Sequence, residues 1–595
     1  MLRKFLPLIA VLVLPGLAAA QEKLPDGAKV AKIEARPAAV KLAGPFAYSQ
    51  ILVTVTLDSG ERVDVTRMAK LELVKQLASF SPNGLVRPIT DGEGTIFVSF
   101  AGQKLEIPLS VSGSKAESPV SFVRDVQPVL SKLGCNQGTC HGAQAGKNGF
   151  KLSLRGYDPI YDYRALTDDL ESRRFNRAAP EKSLMLLKTA GAVPHQGGVL
   201  TQPGDPNYEL LRKWISQGVK LDLDAVRVKS IEVFPKDPII GKLGTKQQFA
   251  VLATYMDGTV RDVTAESFID SSNTEVATID RTGLLTTARR GEATMLARYE
   301  GAYAASTAIS MGDRTGFTWE QRPVHNWIDE LVDAKLKKVK VQASDLCDDA
   351  EFVRRIHIDL TGLHPAADDV RAFLDDKRAS KLKLIGSEAF VEHWTNKWAD
   401  LLQVNRKFLG DVGAAAFRKW IRDAVAGNMP YDKFSYSILT ASGSNVENPP
   451  ASYFKVLREP DAMMENTTQL FLAVRFNCNK CHDHPFERWT QDNYYNLAAF
   501  FAQTKLSPDP KFKGQVAGMN TAVEAAKPLV EIISDAKGGE IKHERTGQNA
   551  AALFPYSVDT ELPKADVRRV SAAKWLTSPK NPYFAKSYAN RLWAY

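Results

Sequence analysis

The chain has 595 residues, too many for one hydrophobic core and enough for about four domains. Hydrophobic residues make up 44% and charged residues 24%, which excludes a wholly disordered or fibrous chain. The formal charge of +9 is spread without a Lys/Arg block, so nucleic-acid partners are set aside.

At the N-terminus, Arg3 and Lys4 precede an apolar run from Phe5 to Leu17, and Ala18-Ala19-Ala20 offers a cleavage site before Gln21. Residues 1–20 therefore read as a secretory signal. Neither this run nor any later one is long enough to span a bilayer. The protein is expected to be exported, periplasmic or at the cell surface, without a transmembrane segment. Of its five cysteines, Cys347 stands alone and reads as a small buried residue. The other four form the pairs Cys135/Cys140 and Cys478/Cys481, each followed directly by a histidine. An oxidising compartment permits disulfides, but a disulfide framework gives no reason for those histidines.

Residues 28–113 read as all-β. Ile51, Val53, Val55 and Leu57 alternate, Asp58-Ser59-Gly60 is a turn, and Val63 to Thr66 resume extended structure. Gln248 to Thr264 repeats Gln50 to Thr66 without a gap: Gly60, Asp64, Val65 and Thr66 match Gly258, Asp262, Val263 and Thr264. One domain type is therefore used twice, too widely separated for a solenoid. The second copy, 228–311, resembles the bacterial immunoglobulin-like domain of group 2. The resemblance rests on Tyr255, Asp257-Gly258-Thr259, Asp262-Val263-Thr264, Ser271-Ser272-Asn273, Val276-Ala277 and Gly291-Glu292-Ala293-Thr294; the first copy matches less closely. It implies two β-sandwiches acting as spacers, the favoured reading, or as adhesion modules for a surface polysaccharide or protein.

Between the copies, 117–222 carries Leu133-Gly134-Cys135-Asn136-Gln137-Gly138-Thr139-Cys140-His141-Gly142 after a helix that Ser121 caps. C-x-x-x-x-C-H is two residues longer than the spacing for covalent c-type haem attachment, so Cys135 leaves the helical face unless Gly138 lets the backbone loop out. The segment resembles the cytochrome c-like domain of a planctomycete-type family through Cys135-Asn136, Gly138, Cys140-His141-Gly142, Gly146 to Phe150, Leu152 to Gly156, Pro180, Ser183-Leu184, Pro194-His195, Gly197-Gly198 and Trp214-Ile215. It implies Cys135 and Cys140 as thioether anchors and His141 as an iron ligand. The sixth ligand would be His195 or Met185; His195, at a turn, is favoured. A Cys135–Cys140 disulfide is the rival.

Residues 318–504 turn helical, with patterns opening at Trp327, from Phe352 to Leu363, Phe390 to Leu402, Ala414 to Ala424 and Asp461 to Cys481. The last is expected to carry Cys478, Cys481 and His482, whose C-x-x-C-H order is the haem-attachment pattern. A surface disulfide or half a zinc site are the alternatives. Trp394, Trp398 and Trp420 read as helical core. The segment resembles the second planctomycete cytochrome-like domain through Arg354-Arg355, Asp359 to Leu363, Trp394, Trp398, Pro430-Tyr431-Asp432, Gln469 to Leu472, Arg475, Cys478, Cys481-His482, His484-Pro485-Phe486, Trp489-Thr490 and Tyr494. His482 is the expected proximal ligand. His393, Met463 and Met464 remain open as the second ligand, and the iron could also be five-coordinate. Residues 505–561 read as a linker or an insertion with short strands. Residues 562–595 resemble the start of the family's C-terminal planctomycete domain and are expected to be a truncated piece of it.

The expected architecture is multidomain: two all-β immunoglobulin-like sandwiches alternating with a small α cytochrome c-like domain and a larger mainly α domain. The expected function is an exported protein with one or two covalent c haems, transferring electrons to an unidentified redox partner protein. The alternative is a secreted or cell-surface binding or adhesion protein with both Cys pairs as disulfides.

Overall fold

A computed structural model describes residues 22–25, 27–169, 173–375, 383–484, 487–517, 527–558 and 566–595. The signal segment expected at 1–20 lies outside them. The chain divides into two compact units, 1–342 and 343–595.

The first unit holds two β-sandwich-like regions built alike. In the first, Val30–Arg36, Leu52–Leu57 and Arg62–Asp64 form one antiparallel sheet. A second sheet has the order Val40–Ala43, Gln103–Ser112, Gly92–Phe100, Lys70–Leu73, and its first pair is parallel. Ser49–Gln50, Leu85–Pro88 and Ala78–Phe80 make the third. The same three sheets recur in the same order between Val228 and Ser310. The alternation expected from the sequence is real: Ile51, Val53 and Val55 are fully buried and Leu57 nearly so, and Val251, Ala253 and Tyr255 repeat this in the second copy.

The repeated Asp-x-Thr tripeptide explains much of the local geometry. Thr66 Oγ1 accepts the Val53 N–H at 2.9 Å while Asp64 Oδ1 accepts the Thr66 N–H at 2.8 Å. Thr264 and Asp262 do the same with Val251 and Thr264 N–H at 2.8 and 2.9 Å. The second oxygen of each carboxylate crosses to the other sandwich. Asp262 Oδ2 accepts the Gln50 N–H at 2.5 Å, and Asp64 Oδ2 accepts the Gln248 N–H at 2.6 Å. Asn83 meets its own counterpart Thr282 at 3.3 Å, and Arg36 stacks on its counterpart Phe234 at 4.0 Å. The two copies are therefore related by a pseudo-two-fold axis, and the repeat supplies its own docking surface.

Between them in sequence lies a small helical domain. Ser121 caps Phe122–Val126, a π turn that runs on into the α-helix Gln127–Lys132. This helix crosses Pro206–Ser216, with the Phe122 ring 5.3 Å from Trp214. Leu130, Leu186, Leu211 and Ile215 complete the core.

The second unit is mainly helical. Trp398, Phe417, Ile421, Ile438, Phe454 and Phe471 share one core, and Trp420 packs beside them on Phe434. Between the helical segments, Thr504–Pro508 and Glu531–Asp535 pair antiparallel, and Gly443–Ser444 extends the sheet. The helices Arg568–Leu576 and Phe584–Ala594 belong to the same core. The buried Arg569 guanidinium holds Asp535 at 2.6 and 2.7 Å and donates to the carbonyls of Leu439 and Ala441. Among the described residues no helix is long and apolar enough to cross a membrane.

Replacing Asp64, only 4% exposed, with Ala strands the Thr66 and Gln248 N–H groups and the Arg67 guanidinium bonded to it. Chemical denaturation is expected to show a loss of about 3–5 kcal/mol for the first unit's transition. Asp58→Ala, at the exposed turn, is expected to stay within about 0.5 kcal/mol of the parent.

Candidate functional site

The first cysteine pair lies where the helix Gln127–Lys132 runs out. The Cys135 N–H donates to Leu130 O at 2.9 Å, the Cys140 N–H to Gln137 O at 2.9 Å, and the His141 N–H to Cys135 O at 3.0 Å. The chain thus makes a tight loop that returns to its own start, and the extended spacing places His141 against Cys135. Gly138 is not the residue that permits it. Gly134 takes the left-handed conformation, at φ +82°, and a Cβ on Gly142 would sit 2.1 Å from the Asn136 carbonyl oxygen. Both thiols are half-buried and neither forms a disulfide. Burial, reinforced by the neighbouring Cys140, pushes the Cys135 thiol up to about 12.

His141 Nδ1 lies 3.1 Å from the Phe150 carbonyl. A carbonyl only accepts, so Nδ1 carries the proton and the lone pair sits on Nε2. The imidazole packs on the Phe150 ring at 4.6 Å, and Arg174 stacks on that ring at 4.1 Å. Burial holds the imidazole below its usual range, and the charges of His195, Arg174 and Lys188 act the same way. His195 is half-buried on its turn, with Nδ1 bonded to Gly198 O at 3.1 Å. A Cβ on Gly197 would come within 2.8 Å of the His195 ring, so the glycine makes room for it. Met185 packs half-buried against the domain core.

The loop is braced from behind. The Leu152 N–H donates to His141 O at 2.8 Å, and the next residue, Ser153, donates N–H and Oγ–H to the buried Asp162 at 2.5 and 2.8 Å. Gln127 Nε2 donates to the same carboxylate at 2.9 Å, tying the loop to the first helix.

The second pair departs from the expected geometry. No single helix runs from Asp461 to Cys481. Pro460–Leu472 ends at Ala473, which is left-handed at φ +56°. The carbonyls of Leu470 and Phe471 are taken by Arg591 Nη2 at 2.8 Å and Ser587 Oγ at 2.6 Å, so tertiary partners finish the helix there. Cys478 and Cys481 instead sit on and just after the 3₁₀ turn Asn477–Lys480, half-buried and exposed respectively, and form no disulfide. His482 Nδ1 lies 2.7 Å from the Asp483 carbonyl, which again sets the lone pair on Nε2. Buried Asn479 donates to Trp489 O at 2.6 Å, and the His484 N–H donates to the same carbonyl at 2.8 Å. Pro485 and Phe486 lie outside the described residues.

Of the residues considered as second ligands, Met463 and Met464 are fully buried in the helical core, and His393 packs against Gly362, where a Cβ would meet its Nδ1 at 2.3 Å. Cys347 is half-buried outside regular structure. For His195 the sequence also allowed a turn residue bonded to backbone, and Gly198 O is that partner; the carbonyls that orient His141 and His482 were missed, because backbone acceptors have no residue signature.

Residues 327–506 match the family model PSCyt2, described as a protein of unknown function (DUF1549). This segment is therefore a planctomycete-type domain of that family. A curated relative, ice-binding protein 1 of Shewanella frigidimarina (strain NCIMB 400), is 32% identical over 111 residues. The match covers 19% of this chain and 12% of that protein. Among solved structures, domains 5-6 of the S-layer protein SbsC are similar at 11% identity, over 48% of this chain and 99% of that one, with a TM-score of 0.20. Domains 4-9 of the same protein give 11%, 48%, 32% and 0.20.

Asp162 gives the first domain a pH signature. Burial raises its carboxyl from 3.8 to about 6 despite the three hydrogen bonds. The folded state then holds the proton more tightly than the unfolded chain, so this contribution is complete below pH 3.8 and lost as pH rises through about 6. The stability difference between the parent and Asp162→Asn, measured by denaturant titration, is expected to move against the parent by about 1–3 kcal/mol from pH 4 to 7.

Proposed function

We propose that this chain is an exported c-type haem protein that transfers electrons, with haem attached at Cys478/Cys481 and at Cys135/Cys140. The observation that carries the reading is shared by His141, His195 and His482: each Nδ1 is held by a backbone carbonyl. That bond fixes ring orientation and leaves the lone pair on Nε2, the tautomer an imidazole ligand needs. The donor set of two thiols and one such imidazole fits a covalent haem at both places, and the loop closing His141 onto Cys135 supports the extended spacing at the first. His195, whose charge is felt at His141, is the proposed second ligand there.

When bound, the haem would supply one-electron chemistry. The chain's part is to anchor it through the four thiols, hold the imidazoles, and shield one face with Phe150 and Arg174 in the first domain. A redox partner protein is implied. The two sandwiches are proposed as immunoglobulin-like spacers. Their rigid pseudo-symmetric pairing also favours a second reading, a cell-surface binding module, to which the ice-binding relative lends a short stretch of similarity.

Protein made in a host with haem c maturation machinery, denatured and resolved by SDS electrophoresis, is expected to give a band that stains for haem peroxidase activity. The pyridine adduct is expected to report two haems per chain, falling by one in Cys135→Ser/Cys140→Ser. His482→Ala in that background is expected to abolish the remaining low-spin spectrum. A colourless band would leave the surface-module reading.

A further inference from the structure

A cleft of about 30 Å³ lies in the first unit, where the helix Gln127–Lys132 and the Arg155–Gly156 turn meet the hairpin around Glu300–Gly301 of the second sandwich. A water needs roughly 10–15 Å³ by this measure, so the cleft has room for about two waters or one tetrahedral oxyanion. Arg155, Arg227 and Arg298 all line it.

Arg298 is the anomaly. It is only 9% exposed, yet no acceptor among the described residues takes its guanidinium, which lies over the Phe268 ring face at 5.0 Å. A buried guanidinium without an anion is costly. Across the cleft, Glu300 uses one oxygen, Oε2, for Arg227 at 3.3 Å and the Val228 N–H at 3.4 Å. Its other oxygen, Oε1, is buried without a partner. The cleft therefore holds an unmatched donor fork and an unmatched acceptor.

The fold does not demand these residues, and the chain carries its own control. In the first sandwich the equivalent hairpin pairs Phe100 with Gln103, as Tyr299 pairs with Ala302. There Ser99 faces Lys70 where Arg298 faces Phe268, and Ala101 stands in the place of Glu300. Ala101 and Glu300 share a positive φ, 48° and 45°, so the same backbone is built without a carboxylate or a guanidinium.

We propose that this cleft binds free hydrogen phosphate, which keeps its P–OH at neutral pH. Arg298 would grip two oxygens in the manner of guanidinium–phosphate pairs, Arg155 and Arg227 add positive charge, and Glu300 Oε1 accepts the P–OH. Sulfate has no proton to donate at neutral pH, so the same carboxylate rejects it.

Isothermal titration of the full chain with inorganic phosphate at constant ionic strength is expected to give saturable binding, with sulfate weaker by about tenfold or more. Arg298→Ser, the first sandwich's own solution, is expected to abolish phosphate binding without lowering the melting temperature in phosphate-free buffer. Glu300→Gln is expected to bring phosphate and sulfate to within about threefold of each other. Phenyl phosphate, mostly a dianion without a P–OH above its second pKa of about 6, is expected to be excluded as sulfate is, and equal affinity for it overturns the role given to Glu300. No saturable phosphate binding, or unchanged affinity in Arg298→Ser, overturns the proposal.

Discussion

The first unit depends on two carboxylates, Asp64 buried and Asp262 half-buried, that accept backbone N–H groups from two places at once. Asp64 and Asp262 each use one oxygen to close their own turn and the other to hold the opposite sandwich. A carboxylate buried to this depth must have its oxygens satisfied, and backbone donors do so without a long side chain to order. Because the acceptor and the donor both lie in the repeated stretch, duplication of the sequence duplicates the interface. The two bonds are then related by a pseudo-dyad, and one set of residues answers for turn, strand register and docking together.

That economy has a consequence for the rest of each sandwich. Once the Asp-x-Thr turns and the Gln50 and Gln248 segments carry the pairing, the far hairpins are released from structural duty. One ends in Ser99 and Ala101, the other in Arg298 and Glu300, on the same backbone path. Divergence between copies therefore marks where chemistry has been added to an unchanged frame. The second unit reaches order by a different route. Arg569 gathers Asp535 and two carbonyls, while Lys455 and Arg458 both pair with the buried Glu531. These charges tie the insertion and the last two helices to the helical core; removing one partner of such a set strands the others.

The sequence announced what period and repetition can announce. The alternating strand at Ile51–Leu57, the gapless repeat, the Ser121 cap and most helices were legible because each is a local pattern. The end of Pro460–Leu472 was not. Its apolar stripe runs on through Val474 toward Cys478, and only Ser587 and Arg591, more than a hundred residues away, show why the helix stops. The loop at Cys135 was half legible: the need for a backbone excursion was clear, but the choice of Gly134 and Gly142 over Gly138 depends on contacts with Asn136. The packing of Arg568–Leu576 and Phe584–Ala594 into the helical core was invisible for the same reason, since a helix pattern says that a face is apolar and not what covers it.

The two thiol–imidazole motifs show how one short pattern takes on different settings. At the first, Cys135 is drawn into the domain, and the imidazole is enclosed by Phe150, itself covered by Arg174. At the second, the motif rides a 3₁₀ turn with Cys481 exposed and is fixed from beneath by Asn479 and Trp489. What stays constant is the carbonyl on Nδ1, supplied nine residues downstream in one case and by the adjacent residue in the other. Under the proposed function, the same thiol–imidazole set in unequal surroundings would give the two sites different polarity and solvent access, two of the levers that separate redox potentials.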